Sequence, residues 1–179
     1  RITTTPLPTV TNPTGLVTSS NQSSGTLLPG SYDTVAPNNG ATITLGIAGS
    51  TNPAVYSITN FSVNNNARVN IVGPVILTLN PGSSKTISIA NNVVIGNSAH
   101  PEWLQFNMYS GNLNLGNNGT LYAAVKAPTS TVTFENNSIF RGSVTAKTFN
   151  LENNGEGIVF TLAPPARTPA TTPPQPPSP

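Results

Sequence analysis

Any acid/base or metal chemistry in this chain would have to come from six side chains: Asp33, Glu102, Glu135, Glu152, Glu156 and His100. Hydrolysis by a general acid and base needs two carboxylates held a few ångströms apart. His100 and Glu102 share one loop and suit a metal or an acid/base pair, but no third ligand-type residue lies near them in the sequence. Packing is therefore their expected role. Glu135 and Glu152 each directly precede an Asn-Asn pair. If those pairs mark equivalent corners, the two carboxylates stack about 5 Å apart on one edge, where they either bind a cation or stay solvated, with Lys126 and Arg141 or Lys147 near enough to offset their charge.

Other chemistries lack parts. One His and one Asp, far apart, do not make a Ser/His/Asp set. There is no Gly-rich phosphate loop leading into a helix, and there are no Asp- and Gly-rich calcium turns. Cysteine is absent, which excludes disulfides and thiolate metal sites. The expectation is no catalytic, cofactor-binding or metal residue. Asn21, Asn60, Asn118 and Asn136 begin N-x-[S/T] acceptor patterns, which are common by chance in a chain of this composition.

The elements that would position these residues announce themselves as a repeat. Asn-Asn pairs at 117, 136 and 153 each follow a short alternating run: Leu113-x-Leu115, Val132-x-Phe134 and Phe149-x-Leu151. Earlier pairs at 38, 65 and 91 extend the series, with wider intervals of 27, 26 and 26 before 19 and 17. Such a period is that of one coil of a parallel β-solenoid, and Asn suits its corners because it tolerates the left-handed region. Stacked corners also allow an asparagine hydrogen-bond ladder along the coils. The competing arrangement is an antiparallel sandwich with Asn-Asn at hairpin turns. The segment 97–109, with the only His, Trp and Met, interrupts the pattern; Pro101 is placed to start a helical turn before a plug or a further strand.

Composition supports a non-enzymatic, exported protein. Only 7% of residues are charged, against roughly 25% in ordinary soluble domains; polarity comes instead from 17 Ser, 25 Thr and 24 Asn. The net charge of +2 is spread singly, without the Lys/Arg clusters that nucleic acid requires. No apolar run reaches the ~18 residues of a membrane span, and Arg1 begins no signal-like segment, as expected of a mature secreted form. Three regions follow: a Thr/Ser/Pro-rich extended arm at 1–26, an all-β right-handed parallel β-helix at 27–160, and a proline-rich tail at 161–179. Eight of the sixteen residues from 164 to 179 are proline, the composition of a polyproline-II rod or linker.

The run Gly119-Thr120-Leu121-Tyr122-Ala123-Ala124-Val125-Lys126-Ala127-Pro128 resembles the G-x-L-Y-G-A-I-Y-A-P motif of a parallel β-helix domain found in secreted bacterial surface and pilus-associated proteins. The likeness continues through Thr131-Val132-Thr133-Phe134 and through Phe140-Arg141-Gly142-Ser143-Val144-Thr145-Ala146-Lys147. Leu28-Pro29-Gly30-Ser31-Tyr32 and Gly73-Pro74-Val75-Ile76-Leu77 look like its earlier motifs. The chain departs from it with Asn-Asn where Gly-Asn is usual, and with Gly157-Ile158-Val159-Phe160 in place of a closing H-Y-D. A more distant likeness is to the bactofilins, which polymerise end to end. The resemblance implies a fold and no active site. The expected function is a structural subunit that self-assembles into an extracellular filament or surface layer, its partner being itself. The alternative is a cell-surface adhesin or polysaccharide-binding module, since flat Thr/Asn-rich faces suit sugars.

Overall fold

A computed structural model describes residues 17–22 and 24–154. The strands are β1 (Val17–Gln22), β2 (Gly25–Thr26), β3 (Gly30–Pro37), β4 (Thr42–Leu45), β5 (Ala54–Phe61), β6 (Arg68–Ile71) and β7 (Val75–Leu79). They continue as β8 (Thr86–Ile89), β9 (Val94–Gly96), β10 (Leu104–Met108), β11 (Asn112–Leu115), β12 (Thr120–Phe134) and β13 (Ile139–Leu151). The one helical element among the described residues is a 3₁₀ turn at Pro101–Trp103, started by the proline as its fixed φ allows. No helix there is long and apolar enough to cross a membrane.

Every strand pairing is parallel, which rules out the antiparallel sandwich. The pairings form three ladders. The first side runs β1-β3-β5-β7-β10-β12-β13. The second runs β2-β4-β6-β9-β12-β13. The third runs from a bridge at Val63 through β8 and β11 to β12 and β13. Because β12 and β13 are long enough to take part in all three sides, the ladders join into one 13-stranded sheet. That sheet curls through 295°, which is compatible with a β-solenoid. β1 and β2 lie inside the stretch read as an arm, so the paired sheet reaches back to Val17. The segment 155–179, with the proline-rich tail and Glu156, falls outside the described residues, as does 1–16.

Stacked positions on the third side are Val63, Ile89, Leu115, Phe134 and Leu151, giving steps of 26, 26, 19 and 17 residues. The wide coils carry loops between sides, at 46–53, 80–85 and 97–103, where β12 and β13 run straight through. The last step is shorter still because residues 128–130 of β12 face only residue 147 of β13. The asparagine period is therefore the coil itself.

The corners explain why. Gly40, Asn66, Asn92, Asn118, Asn137 and Asn154 all have positive φ, between 55° and 70°. This is the left-handed region, which only Gly and, less readily, Asn enter at small cost. It is the second residue of each pair that takes it, so the first corner is in phase at Asn39-Gly40 rather than Asn38-Asn39. The first five of these residues donate their N–H to the carbonyl one coil on: Gly40 to Asn65, Asn66 to Asn91, Asn92 to Asn117, Asn118 to Asn136 and Asn137 to Asn153, at 3.0–3.2 Å. The first residue of the pair supplies a side-chain rung. Asn65 Oδ1 accepts the Asn91 N–H at 3.0 Å, and Asn91 Oδ1 accepts the Asn117 N–H at 2.9 Å. The expected ladder thus exists as amide-to-backbone rungs over three coils.

Inside, period-two alternation delivers stacked apolar columns on every side. Ile43, Val69, Ile95, Leu121 and Phe140 stack on the second side, and Ile89, Leu115 and Phe134 on the third; all are at most 2% exposed. Each such side chain contributes about 1.5–3 kcal/mol by leaving water. In the narrow coils aromatic rings fill the interior: Phe134 lies 5.2 Å from Phe140 and 5.3 Å from Phe149, centroid to centroid. Leu104, Phe106 and Met108 of the interrupting segment are core residues of β10, so that segment leads into a strand rather than plugging an edge.

Polar groups are buried as well, at Thr78, Asn107, Ser130, Ser138 and Tyr56, the last being the largest. Fully buried, the Tyr56 hydroxyl accepts the Gly46 N–H at 3.0 Å and donates to the Leu27 carbonyl at 2.9 Å. Burial raises its pKa above the ordinary 10.0, so the folded state favours the neutral phenol. With the folded pKa above the unfolded one, this stabilisation is complete below about pH 10 and fades as pH rises beyond it. Tyr56→Phe, which orphans both backbone groups, is expected to cost about 1–3 kcal/mol in urea unfolding and to make the alkaline loss of stability shallower than in the parent. At the corner, Asn92→Ala should cost about 1 kcal/mol and Asn92→Gly should stay within about 0.5 kcal/mol of the parent; equal costs would show that the left-handed corner is not what selects Asn.

Candidate functional site

Glu135 and Glu152 follow β12 and β13, and their backbone N–H groups bond Leu115 and Phe134 respectively, both at 2.9 Å. They therefore occupy equivalent places on successive coils, as their spacing before the Asn pairs predicts. Their chemistry differs. Both Glu135 oxygens are engaged, accepting from Asn114 Nδ2 at 2.7 Å and from Asn117 Nδ2 at 3.0 Å. Glu152 is exposed. The asparagine rungs thus end at Asn117, which turns its amide to the carboxylate. Lys126, Arg141 and Lys147 make no ion pair with either acid; the one acid–base contact among the described residues is His100–Glu102. No group of three or more potential metal ligands occurs there either.

His100 and Glu102 do meet, Nδ1 to Oε1 at 2.9 Å, on an exposed loop. The Glu102 carboxyl is held below its usual range by its own backbone N–H and by His100. The His100 ring stacks flat on Trp103, centroids 4.0 Å apart at 7°. This is a small packed turn in which His100 and Trp103 cover one face of each other's ring. Of the acceptor patterns, Asn118 is exposed at a corner, Asn136 is half-buried at the next, and Asn60 is half-buried within β5 with its amide near Asp33 and Thr34. Asn21 lies in β1.

What the individual residues do not reveal is the outer surface that stacking creates. On the third side two polar rows run along the coils: Thr86, Asn112, Thr131 and Thr148, and beside them Ser88, Asn114, Thr133 and Asn150. They border a shallow cleft of about 330 Å³ closed at one edge by Glu135 and Glu152. On the second side the outward rows are Thr42, Arg68, Val94, Thr120 and Ile139, and Thr44, Asn70, Gly96, Tyr122 and Arg141. A groove of about 370 Å³ opens over Gly96. A Cβ at Gly96 would sit 2.2 Å from the Tyr122 carbonyl oxygen, at a φ of +105°. Close coil packing therefore requires glycine, and the missing side chain leaves the hollow. The signal was available in the step of 26 residues from Asn70 to Gly96 to Tyr122.

The remaining reactive feature is backbone. β1 pairs only with β3, and β13 only with β12. Among the described residues, the outer edges of these two strands carry no ladder partner. The search for relatives adds nothing to the motif resemblance: no family model, curated protein or solved structure matches the chain.

Removing the carboxylate separates the two acids energetically. Glu135→Ala strands two side-chain amides and should lower unfolding free energy by about 1–2 kcal/mol. Glu152→Ala should change it by less than about 0.5 kcal/mol. Matched urea titrations of the two variants read the difference.

Proposed function

We propose that this chain is a non-enzymatic structural subunit of an extracellular filament or surface layer, a closed right-handed β-solenoid that stacks end to end on copies of itself. The observation that carries the reading is the pair of single-partner strands, β1 and β13, at opposite ends of the first ladder. A strand edge offers unpaired N–H and C=O groups to another chain. An end-to-end contact between unlike ends does not close on itself, so it propagates as a fibre. Sparse charge favours such stacking: with a net charge of +2, copies repel one another little.

An extracellular place is supported by the lack of cysteine and by a surface made polar through Ser, Thr and Asn. The motif resemblance to the β-helix domain of secreted bacterial surface proteins points the same way. A non-enzymatic role accords with the acids, since Glu135 is committed to Asn114 and Asn117 and Glu102 to His100.

Negative-stain electron microscopy of the purified protein is expected to show unbranched fibres of uniform width. The cysteine-free background allows the contact to be located. Ser20→Cys in β1 and Asn150→Cys in β13, which fall in the same column of stacked residues, carried on separate chains and mixed under mild oxidation, should give the mixed disulfide preferentially, because adjoining strands bring Cα atoms within about 4.4–6.8 Å. A chain that stays monomeric in sizing chromatography at every concentration would overturn the reading.

A further inference from the structure

The groove on the second side has a composition unlike the rest of this surface. Arg68 and Arg141 are the two arginines among the described residues, and both face outward on this side: Arg68 lines the groove, and Arg141 adjoins Tyr122 on the next strand. No acid lines the groove, and neither arginine has an ion-pair partner among the described residues. In a chain with 7% charged residues, two such guanidinium groups, one lining the groove and one on the strand next to its Tyr122 edge, are a local excess of positive charge. Asn70, Ser98 and Thr120 add amide and hydroxyl groups to the lining. The hollow over Gly96 separates Asn70 from the Tyr122 ring by two strand spacings, about 9–10 Å.

From these features we infer that the groove binds a carboxylate-bearing polysaccharide, a chain of uronic acid units lying along the coil stack. A guanidinium presents paired donors that match a carboxylate in two-point fashion, which an ammonium does not. A half-buried tyrosine offers an apolar face to a sugar ring and a hydroxyl to its rim. The hollow of about 370 Å³ lies at the small end of the range for ligand clefts, about 300–1,000 Å³. Arg68 in β6 and Arg141 in β13 are three strand spacings apart, about 14 Å. One small acid satisfies one of them; a polymer with an acid on each unit reaches both. Nucleic acid fits less well, since it needs more cations than two to neutralise successive phosphates. The inference is independent of fibre formation, because binding can be read on any oligomer.

Isothermal titration of the full chain with tetragalacturonate, cellotetraose and tetrathymidylate tests it. Tetragalacturonate should bind at least about tenfold more tightly than the neutral tetrasaccharide, and raised salt should weaken it. Arg68→Ala should weaken binding roughly ten- to hundredfold, the loss expected of a charge-assisted pair. Arg141→Ala should weaken it less, and Thr86→Ala on the third side should leave it unchanged. Both arginines are exposed, and circular dichroism verifies that each variant keeps its strands. Equal affinity for the charged and neutral sugars overturns the inference, as does an Arg68→Ala variant that binds like the parent. Tighter binding of tetrathymidylate, or no tetragalacturonate binding at about 10 mM, overturns it too.

Discussion

The structure depends on one backbone conformation repeated at one corner. Asn66, Asn92, Asn118 and Asn137 enter the left-handed region and each passes its N–H to the carbonyl of the next coil. A turn of this kind does two things together. It redirects the chain by a fixed amount, and it fixes the axial step to a single strand spacing. Once the corner is set, the residue behind it must face inward: Ala41, Ala67, Val93, Gly119 and Ser138 are all buried. The alternation of the following strand is thereby phased for every coil, since a slip of one residue would turn its whole apolar set to solvent.

Coil length is free to vary as long as that corner keeps its place. Twenty-six residues or seventeen give the same corner geometry, because the surplus is spent in loops between sides and not in the ladders. Function is expressed on what the ladders leave over. The interior is mostly hydrocarbon, the outer rows of the third side are hydroxyl and amide, and the few charges are isolated features on a largely neutral surface. Against that background an outer strand edge with no ladder partner among the described residues and two arginines with no ion-pair partner there stand out.

Much of this was legible in the residues. The Asn-Asn spacing carried the coil, and the apolar alternation beside it carried the faces, because both are local consequences of sterics and of period-two pleating. The stacking of Glu135 over Glu152 followed from their shared place before a corner. Other features depend on partners that adjoin only after folding. That Asn39-Gly40 and not Asn38-Asn39 is the first corner depends on which residue needs positive φ, which the pair alone does not state. That the extra residues of the early coils form loops, and that β1 is already paired at Val17, are tertiary facts. The fate of the Glu135 carboxylate was equally hidden, since its partners Asn114 and Asn117 lie a coil away. The groove over Gly96 arises from residues 26 positions apart, and it becomes visible only when the chain is written out in coils of that length.

The coil-to-coil corner bond is the claim on which the rest stands, and amide hydrogen exchange followed by nuclear magnetic resonance measures it residue by residue. If the corners bridge successive coils, the amides of Asn66, Asn92, Asn118 and Asn137 exchange as slowly as those of the neighbouring core strands, although their side chains lie at the surface. Exchange at those four amides as fast as in an open loop, with the flanking strands still protected, would contradict the account.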